Sequence, residues 1–461
     1  MSGYVNIMTA KHELMKKIRE IFRLSLPITI SFLAMGIMGI VDTIIVGHYN
    51  TDQLAYIGLA NAVFSVLFTI PIGLLHGILI KSSQKFGARK FASCGKIYYE
   101  GRRYLVILAI LFTVIGLNGR GLFSLLRQND VMIDNASPVL SIFAWSIPFI
   151  LLFVNGNFFL QSIRRPHIAM YAGIIANIMN IIINPVLVYG KFGFPEMGAQ
   201  GSATSTLIVR IFLALFILLY IRKMKQNPKL NKRFGLDRKY DTWWTDSKST
   251  RKIGYGVAIT TVATNGSYSI VSNFAGWLGE LPMAAFVIIT NLSMITFMVC
   301  FSVAQATSIV AANVFGRKDA KAFVLSVKGG FVILFLAIVL LESLLYFLQT
   351  PIFGGFTGDP AVLDILKTLI LFLMLEVVMD SLPFGVMGPL NGRGDIKIQT
   401  IFQIISFLIV RISACYLLAF KLELGLKGLL LGLCAGGLVS LLLNGSRLLW
   451  LIRKDKSKQK A

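Results

Sequence analysis

Three groups of polar side chains stand inside long apolar runs of this 461-residue sequence, and each could hold a proton or a cation. Asp42 lies in Met38-Gly39-Ile40-Val41-Asp42-Thr43-Ile44-Ile45-Val46-Gly47. At that depth a carboxylate is expensive unless it faces a cavity, a partner or a proton; the plain alternative is an interfacial helix end. Asn180 and Asn184 are four residues apart and share a helical face, with Asn177 three residues before Asn180. Together with the carbonyl freed by Pro185, these amides could ligate a cation such as Na+ beside Asp42, or accept a hydrogen bond from the protonated acid. Amide contacts that only join helices are the other reading. Ser202, Thr204, Ser205 and Thr206 could add hydroxyls. Glu376 and Asp380 are again four apart, in Leu375-Glu376-Val377-Val378-Met379-Asp380-Ser381-Leu382-Pro383. Two carboxylates on one apolar face cannot both stay ionised and unpaired. They could receive a cationic organic molecule, carry protons, or pair with a basic residue such as Arg411. Arg210 and Arg411 are also deep in apolar runs, where each could pair with these acids or contact an anionic substrate.

The elements that must position these groups are membrane-spanning helices. The chain is 56% hydrophobic and 14% charged, with mean hydropathy +0.73; an average soluble domain is about a quarter charged. Twelve apolar segments of helical length are legible, at 24–46, 54–80, 97–118, 136–160, 168–190, 200–221, 253–279, 284–312, 323–348, 361–388, 398–420 and 425–450. They use up the chain, leaving no separate catalytic domain, and no Ser/His or His/Asp/Glu cluster at one depth suggests an enzyme. Pro27, fifteen residues before Asp42, lacks an N–H and can bend or loosen the first span. The four cysteines (Cys94, Cys300, Cys415, Cys434) and four histidines form no metal-ligand or disulfide spacing, so no cofactor is expected. The first twenty residues carry no apolar leader core, so insertion is expected to begin with the first span itself.

The net charge of +24 could suggest nucleic acid, but its placement points to the lipid bilayer. With the N-terminus in the cytoplasm, 36 of the 45 Lys and Arg fall in cytoplasmic segments and five on the opposite side. Both termini are therefore expected in the cytoplasm, with no nucleic-acid partner. The sequence also repeats itself, at an offset of half its length. Lys85-Phe86-Gly87-Ala88-Arg89-Lys90 in the first half is matched by Val314-Phe315-Gly316-Arg317-Lys318 in the second. At nearly the same offset, Glu196-Met197-Gly198-Ala199-Gln200-Gly201 is echoed by Glu423-Leu424-Gly425-Leu426-Lys427-Gly428. This predicts an all-α polytopic membrane protein of twelve transmembrane helices. They form two six-helix lobes related by a pseudo-twofold axis along the membrane normal: residues 1–221, a basic cytoplasmic linker at 222–252 containing Trp243-Trp244, and residues 253–461. Asp42 maps near Val271 or Ser272, and Asp380 near Ile150, so the scaffold is duplicated but its charges are not. Gly73 with Gly77, and Gly432 with Gly436, predict close helix packing.

At these residues the sequence resembles the multidrug and toxic compound extrusion (MATE) family, in its NorM-like branch, over essentially the whole chain. The stretches that carry the likeness are Leu26-Pro27, Asp42-Thr43-Ile44-Ile45-Val46-Gly47, Asn180-Ile181-Ile182-Ile183-Asn184, Pro195-Glu196-Met197-Gly198 and Leu390-Asn391-Gly392-Arg393-Gly394-Asp395. The resemblance implies two six-helix lobes, an outward V-shaped cavity, and export of lipophilic compounds in exchange for H+ or Na+. It places Asp42, Asn180, Asn184 and Thr206 at the N-lobe coupling site, and Asp380 as the carboxylate of the tenth helix. A monomer in the bacterial inner membrane is expected, taking small organic, cationic substrates and needing no cofactor beyond the coupling ion. One departure concerns the seventh span: NorM-like members carry a glutamate there, whereas residues 253–279 contain no acid, with Thr264 or Asn265 in the matching region. Glu376, by face and spacing, is the acid that could take its place. The alternative within the same superfamily is a lipid-linked oligosaccharide flippase, which Arg210 or Arg411 facing the lumen would favour.

Overall fold

Within hydrocarbon every backbone polar group must be satisfied inside its own segment, so long apolar runs fold as helices. The computed structural model describes residues 2–238, 240 and 247–460; Lys239 and residues 241–246, including Trp243 and Trp244 of the expected linker, lie outside the described residues. Twelve long helices follow in order: α1 Ser2–Tyr49, α2 Thr51–Gly87, α3 Phe91–Leu117, α4 Asp130–Ser162, α5 His167–Val188, α6 Gly198–Gln226, α7 Lys248–Trp277, α8 Glu280–Gly316, α9 Ala320–Phe347, α10 Pro360–Arg393, α11 Ile396–Lys421 and α12 Gly425–Lys460. Each of the twelve expected segments coincides with one of these helices. Many helices run past the apolar window because their polar ends continue the same hydrogen-bond ladder. Asn50, Asn129, Asp319 and Asp359 cap the starts of α2, α4, α9 and α10 through their side chains. Among the described residues nine helices are long and apolar enough to cross a membrane, ten when α3 is counted with the short helix Gly119–Leu125, to which it is joined at a 65° bend. The two long helices outside that set are α7 and α10, which carry much of the polar chemistry described below. No strand occurs among the described residues. The chain is thus an integral, multi-pass, all-helical membrane protein.

The fold divides into two compact units. One comprises Ile30–Ala258; the other comprises Met1–Thr29 with Ile259–Ala461. The divisions fall inside α1, just after Pro27, and inside α7. The described part of residues 222–252 falls in the first unit and includes a short capped helix. Asn227 Oδ1 accepts from the N–H groups of Lys229 and Leu230, Pro228 starts the short helix Pro228–Phe234, and Phe234 buries its ring near Phe91 and Phe159.

In the first unit α4 packs on α2, α3 and α6, and α5 packs on α6. In the second, α10 packs on α8 and α12. Both glycine pairs lie at close helix contacts. A Cβ on Gly77 would stand 2.0 Å from the Thr250 carbonyl oxygen of α7. One on Gly436 would stand 2.7 Å from Arg411 Cβ, so the bare backbone there makes room for a buried arginine.

Candidate functional site

In the first unit, α1 and α5 run parallel and are joined at three levels. Asn177 Nδ2 donates to the Ala34 carbonyl (2.9 Å), Asn180 and Asn184 reach Asp42, and Tyr189 Oη donates to the Ile45 carbonyl (3.1 Å). The middle level is the polar cluster expected from the sequence. Asp42 is 5% exposed. Its Oδ1 accepts from Asn180 Nδ2 (3.1 Å) and Asn184 Nδ2 (2.5 Å), and its Oδ2 accepts from Thr206 Oγ1 (3.0 Å). Hydrogen bonds to a charged group contribute about 1.5–3 kcal/mol each, so three of them offset much of the desolvation of an ionised carboxylate. Ser205 and Ser202 stand behind the amides as acceptors for Asn180 and Asn184, at 3.4 and 3.3 Å. Thr204, by contrast, is half-buried and donates back to the Gln200 carbonyl.

Ser202, Thr206 and Arg210 recur every four residues and so share one face of α6. The Arg210 guanidinium acts on Asp42 through space while its Nη1 donates to Ser146 Oγ (2.5 Å). Its carbon centre lies 4.5, 5.6 and 5.9 Å from the rings of Phe64, Phe68 and Phe143, an aromatic cage that stabilises a cation. Asn177 lies on the same stripe as the other asparagines, but its amide holds the Ala34 and Gly173 carbonyls instead of Asp42. It lines a cavity of about 40 Å³ with Ser31, Phe32, Met38, Phe153 and Leu213. The side-chain carbonyl oxygens of Asn177, Asn180 and Asn184 are buried without a hydrogen-bond partner, and those of Asn180 and Asn184 leave acceptor capacity beside Asp42.

The second unit holds a cluster built from α7, α8, α10 and α11. Asp380 Oδ1 is ion-paired with Arg411, and its Oδ2 lies 2.8 Å from Tyr268 Oη. The same hydroxyl lies 2.8 Å from Glu376 Oε1, and Ser293 Oγ donates to Glu376 Oε2 (3.0 Å). Glu376 is 1% exposed and Arg411 wholly buried. Arg411 also approaches Ser267 Oγ (3.4 Å) and lies over the rings of Phe407 (4.1 Å) and Tyr268 (4.9 Å). It ends the π-helical stretch Ile404–Arg411 of α11; such wide turns are frequent at functional sites. Tyr268 has one hydrogen to give. Its two carboxyl contacts can therefore hold in two ways: the phenol shares its hydrogen between both carboxylates, or one carboxyl carries a proton and donates to the tyrosine oxygen.

Sequence reasoning grouped Glu376 with Asp380 and offered Arg411 as a partner, but it missed Tyr268, Ser293 and Ser267. The contribution of α7 to this cluster is thus the Tyr268 phenol and the Ser267 hydroxyl. Thr264 donates to its own helix, at the Thr260 carbonyl, and Asn265 is exposed. Glu342 of α9 was also missed, although one acid in Val339-Leu340-Leu341-Glu342-Ser343-Leu344-Leu345 is a readable signal. It is 5% exposed, and neither carboxylate oxygen has a hydrogen-bond partner. Among the described residues no group of three or more His, Cys, Asp or Glu forms a metal-binding cluster.

Comparison with known proteins agrees with this architecture. The MatE family model matches residues 27–186 and 257–417, one segment in each half of the chain. A probable multidrug resistance protein NorM of Caulobacter vibrioides is 28% identical over 91% of this chain and 88% of its own length. The multidrug resistance protein NorM of Vibrio cholerae is 23% identical over 97% of this chain and 98% of its own. A solved structure described as the outward-facing conformation of a multidrug resistance MATE family transporter superposes with a TM-score of 0.88 at 19% identity, covering 96% of this chain and 97% of that one.

Proposed function

The chain belongs to the MatE family, and from that premise we propose that it is a secondary active exporter of organic compounds, driven by protons loaded at Asp42. Family and relatives support multidrug efflux transport as the general activity. The observation that carries the coupling proposal is the enclosure of Asp42 by donors. Two amide N–H groups and one hydroxyl face the carboxylate, so a bare Na+ ion at Asp42, Asn180 and Asn184 would require both amides to turn their oxygens inward. A proton binds the carboxylate with those contacts in place. The caged guanidinium of Arg210 adds a fixed positive charge that opposes a second cation. Thr206 completes the site, and Asn177 serves it indirectly by fixing α5 to α1.

Cationic substrates are favoured by the charge balance of the second unit, where, among the described residues, the acids Glu342, Glu376 and Asp380 are set against one buried arginine, Arg411, which pairs with Asp380. Arg210 and Arg411 are both engaged internally, with Ser146 and three aromatic rings, and with Asp380, so neither offers the free guanidinium that a lipid-linked oligosaccharide flippase would use. The distribution of basic residues supports an inner-membrane protein with both termini cytoplasmic, and the monomer is the working unit of this reading.

The test is ethidium efflux from proteoliposomes holding the purified protein. A pH gradient alone is expected to drive efflux. Efflux driven by a Na+ gradient at zero pH gradient and zero voltage would overturn the proton reading.

A further inference from the structure

Glu342 is a buried acid that the proposed coupling site does not use. It lies close to the Phe347 end of α9, remote from the basic start of that helix. Its carboxylate oxygens meet neither a donor nor a counter-charge. An isolated ionised carboxylate in such a place is costly enough that the group neutralises instead, and it can do so only by binding a proton. Among the helices packed on α9, the titratable groups within its electrostatic range are Glu376 on α10 and Cys300 on α8. On α12, Cys434 interacts with Glu376 and Asp380 rather than with Glu342. Behind Glu376 stand Tyr268, Asp380 and Arg411, the cluster in which one tyrosine hydrogen serves two carboxyl groups.

We propose that Glu342 is a proton-binding carboxylic acid that exchanges its proton with Glu376, extending the Glu376–Tyr268–Asp380 chain toward the outer end of the second unit. The arrangement makes chemical sense as a relay. A carboxylic acid without fixed partners gives up and takes back a proton without breaking structural hydrogen bonds, and its neighbour Glu376 already stands on a hydroxyl that conducts to Asp380. In transfer, the O–H bond of Glu342 breaks as an O–H bond to Glu376 forms, through an intervening water or a side-chain rotation, so charge moves from one glutamate to the other and is conserved. This inference extends the proton-coupled reading but does not depend on Asp42.

Infrared difference spectroscopy of the purified, substrate-free protein during a pH titration tests it directly. A carboxylic-acid carbonyl band is expected in the wild type that is lost in Glu342→Gln and returns, displaced, in Glu342→Asp. Because the two glutamates interact, Glu376→Gln is expected to shift the pH midpoint of that band. A band unchanged in Glu342→Gln overturns the assignment of the proton, and a midpoint unmoved by Glu376→Gln overturns the exchange. In proteoliposomes, Glu342→Gln is expected to change the pH profile of efflux and Glu342→Asp to restore it; a wild-type profile in the glutamine variant overturns the relay. Wild-type protein driven by Na+ alone would instead refute the coupling proposed at Asp42 and leave the two spectroscopic results standing, so the failures are distinguishable.

Discussion

Arg411→Met removes the one buried cation that faces Asp380, and its cost can be worked from the contacts. Arg411 is wholly buried, ion-paired with Asp380, and covered by Phe407 and Tyr268. Taking away one partner of a buried pair leaves the other charge uncompensated, at about 3–5 kcal/mol. Methionine refills much of the volume, since its unbranched chain passes Gly436 as the arginine stem does, so most of the loss is electrostatic. Asp380→Asn should be similarly destabilising, because it strands the guanidinium. The double variant should recover, since a buried ion pair replaced by neutral groups of similar size is often close to neutral. Reversible unfolding in mixed micelles, followed by tryptophan fluorescence, yields all four stabilities. Independent sites add to within about 0.5 kcal/mol, whereas coupled ones depart from additivity, and a coupling energy of about 2 kcal/mol or more is expected here. A coupling energy within the additive range would falsify the view of Arg411 and Asp380 as an interdependent pair.

Two further outcomes follow from the sites. Asp42→Asn should reduce gradient-driven efflux to the leak of empty vesicles, with expression and insertion near wild type, because an amide fits among Asn180, Asn184 and Thr206 but cannot change charge; export at the wild-type rate would refute Asp42 as the coupling group. In competition for a transported dye, cationic drugs should outperform anionic drugs of similar size, and Glu376→Gln should weaken the cations about tenfold, equivalent to about 1.4 kcal/mol. Equal competition by anions, or unchanged cation affinity in the variant, would show that the second-unit carboxylates do not select substrate charge.

What was legible in the sequence follows the physics of single helices. Apolar length located all twelve long helices, and four-residue spacing put Asn180 with Asn184, and Glu376 with Asp380, on shared faces. Of the four hydroxyls noted between residues 202 and 206, the resemblance to a known family singled out Thr206, which the fold places on Asp42. Contacts set by a neighbouring helix were harder to read. Asn177 shares the asparagine stripe, yet the offset between α1 and α5 brings it to Ala34, two turns before Asp42. Tyr268 sits in a polar helix among many hydroxyls, and nothing in its local pattern marks it above Thr264 or Ser269 until α10 is packed against it.

The shared hydrogen of Tyr268 turns proton occupancy into mechanical linkage. While the Glu376–Asp380 pair carries one proton, both 2.8 Å contacts can hold, and α7 is stitched to α10 at two points one helical turn apart. When that proton leaves, one hydrogen remains for two carboxylates, and the two stitches together weaken. The cluster would then work as a latch whose slack is set by the number of hydrogens it contains. Removing a particle too light to fill any space would loosen one helix from another, and returning it would draw them together again.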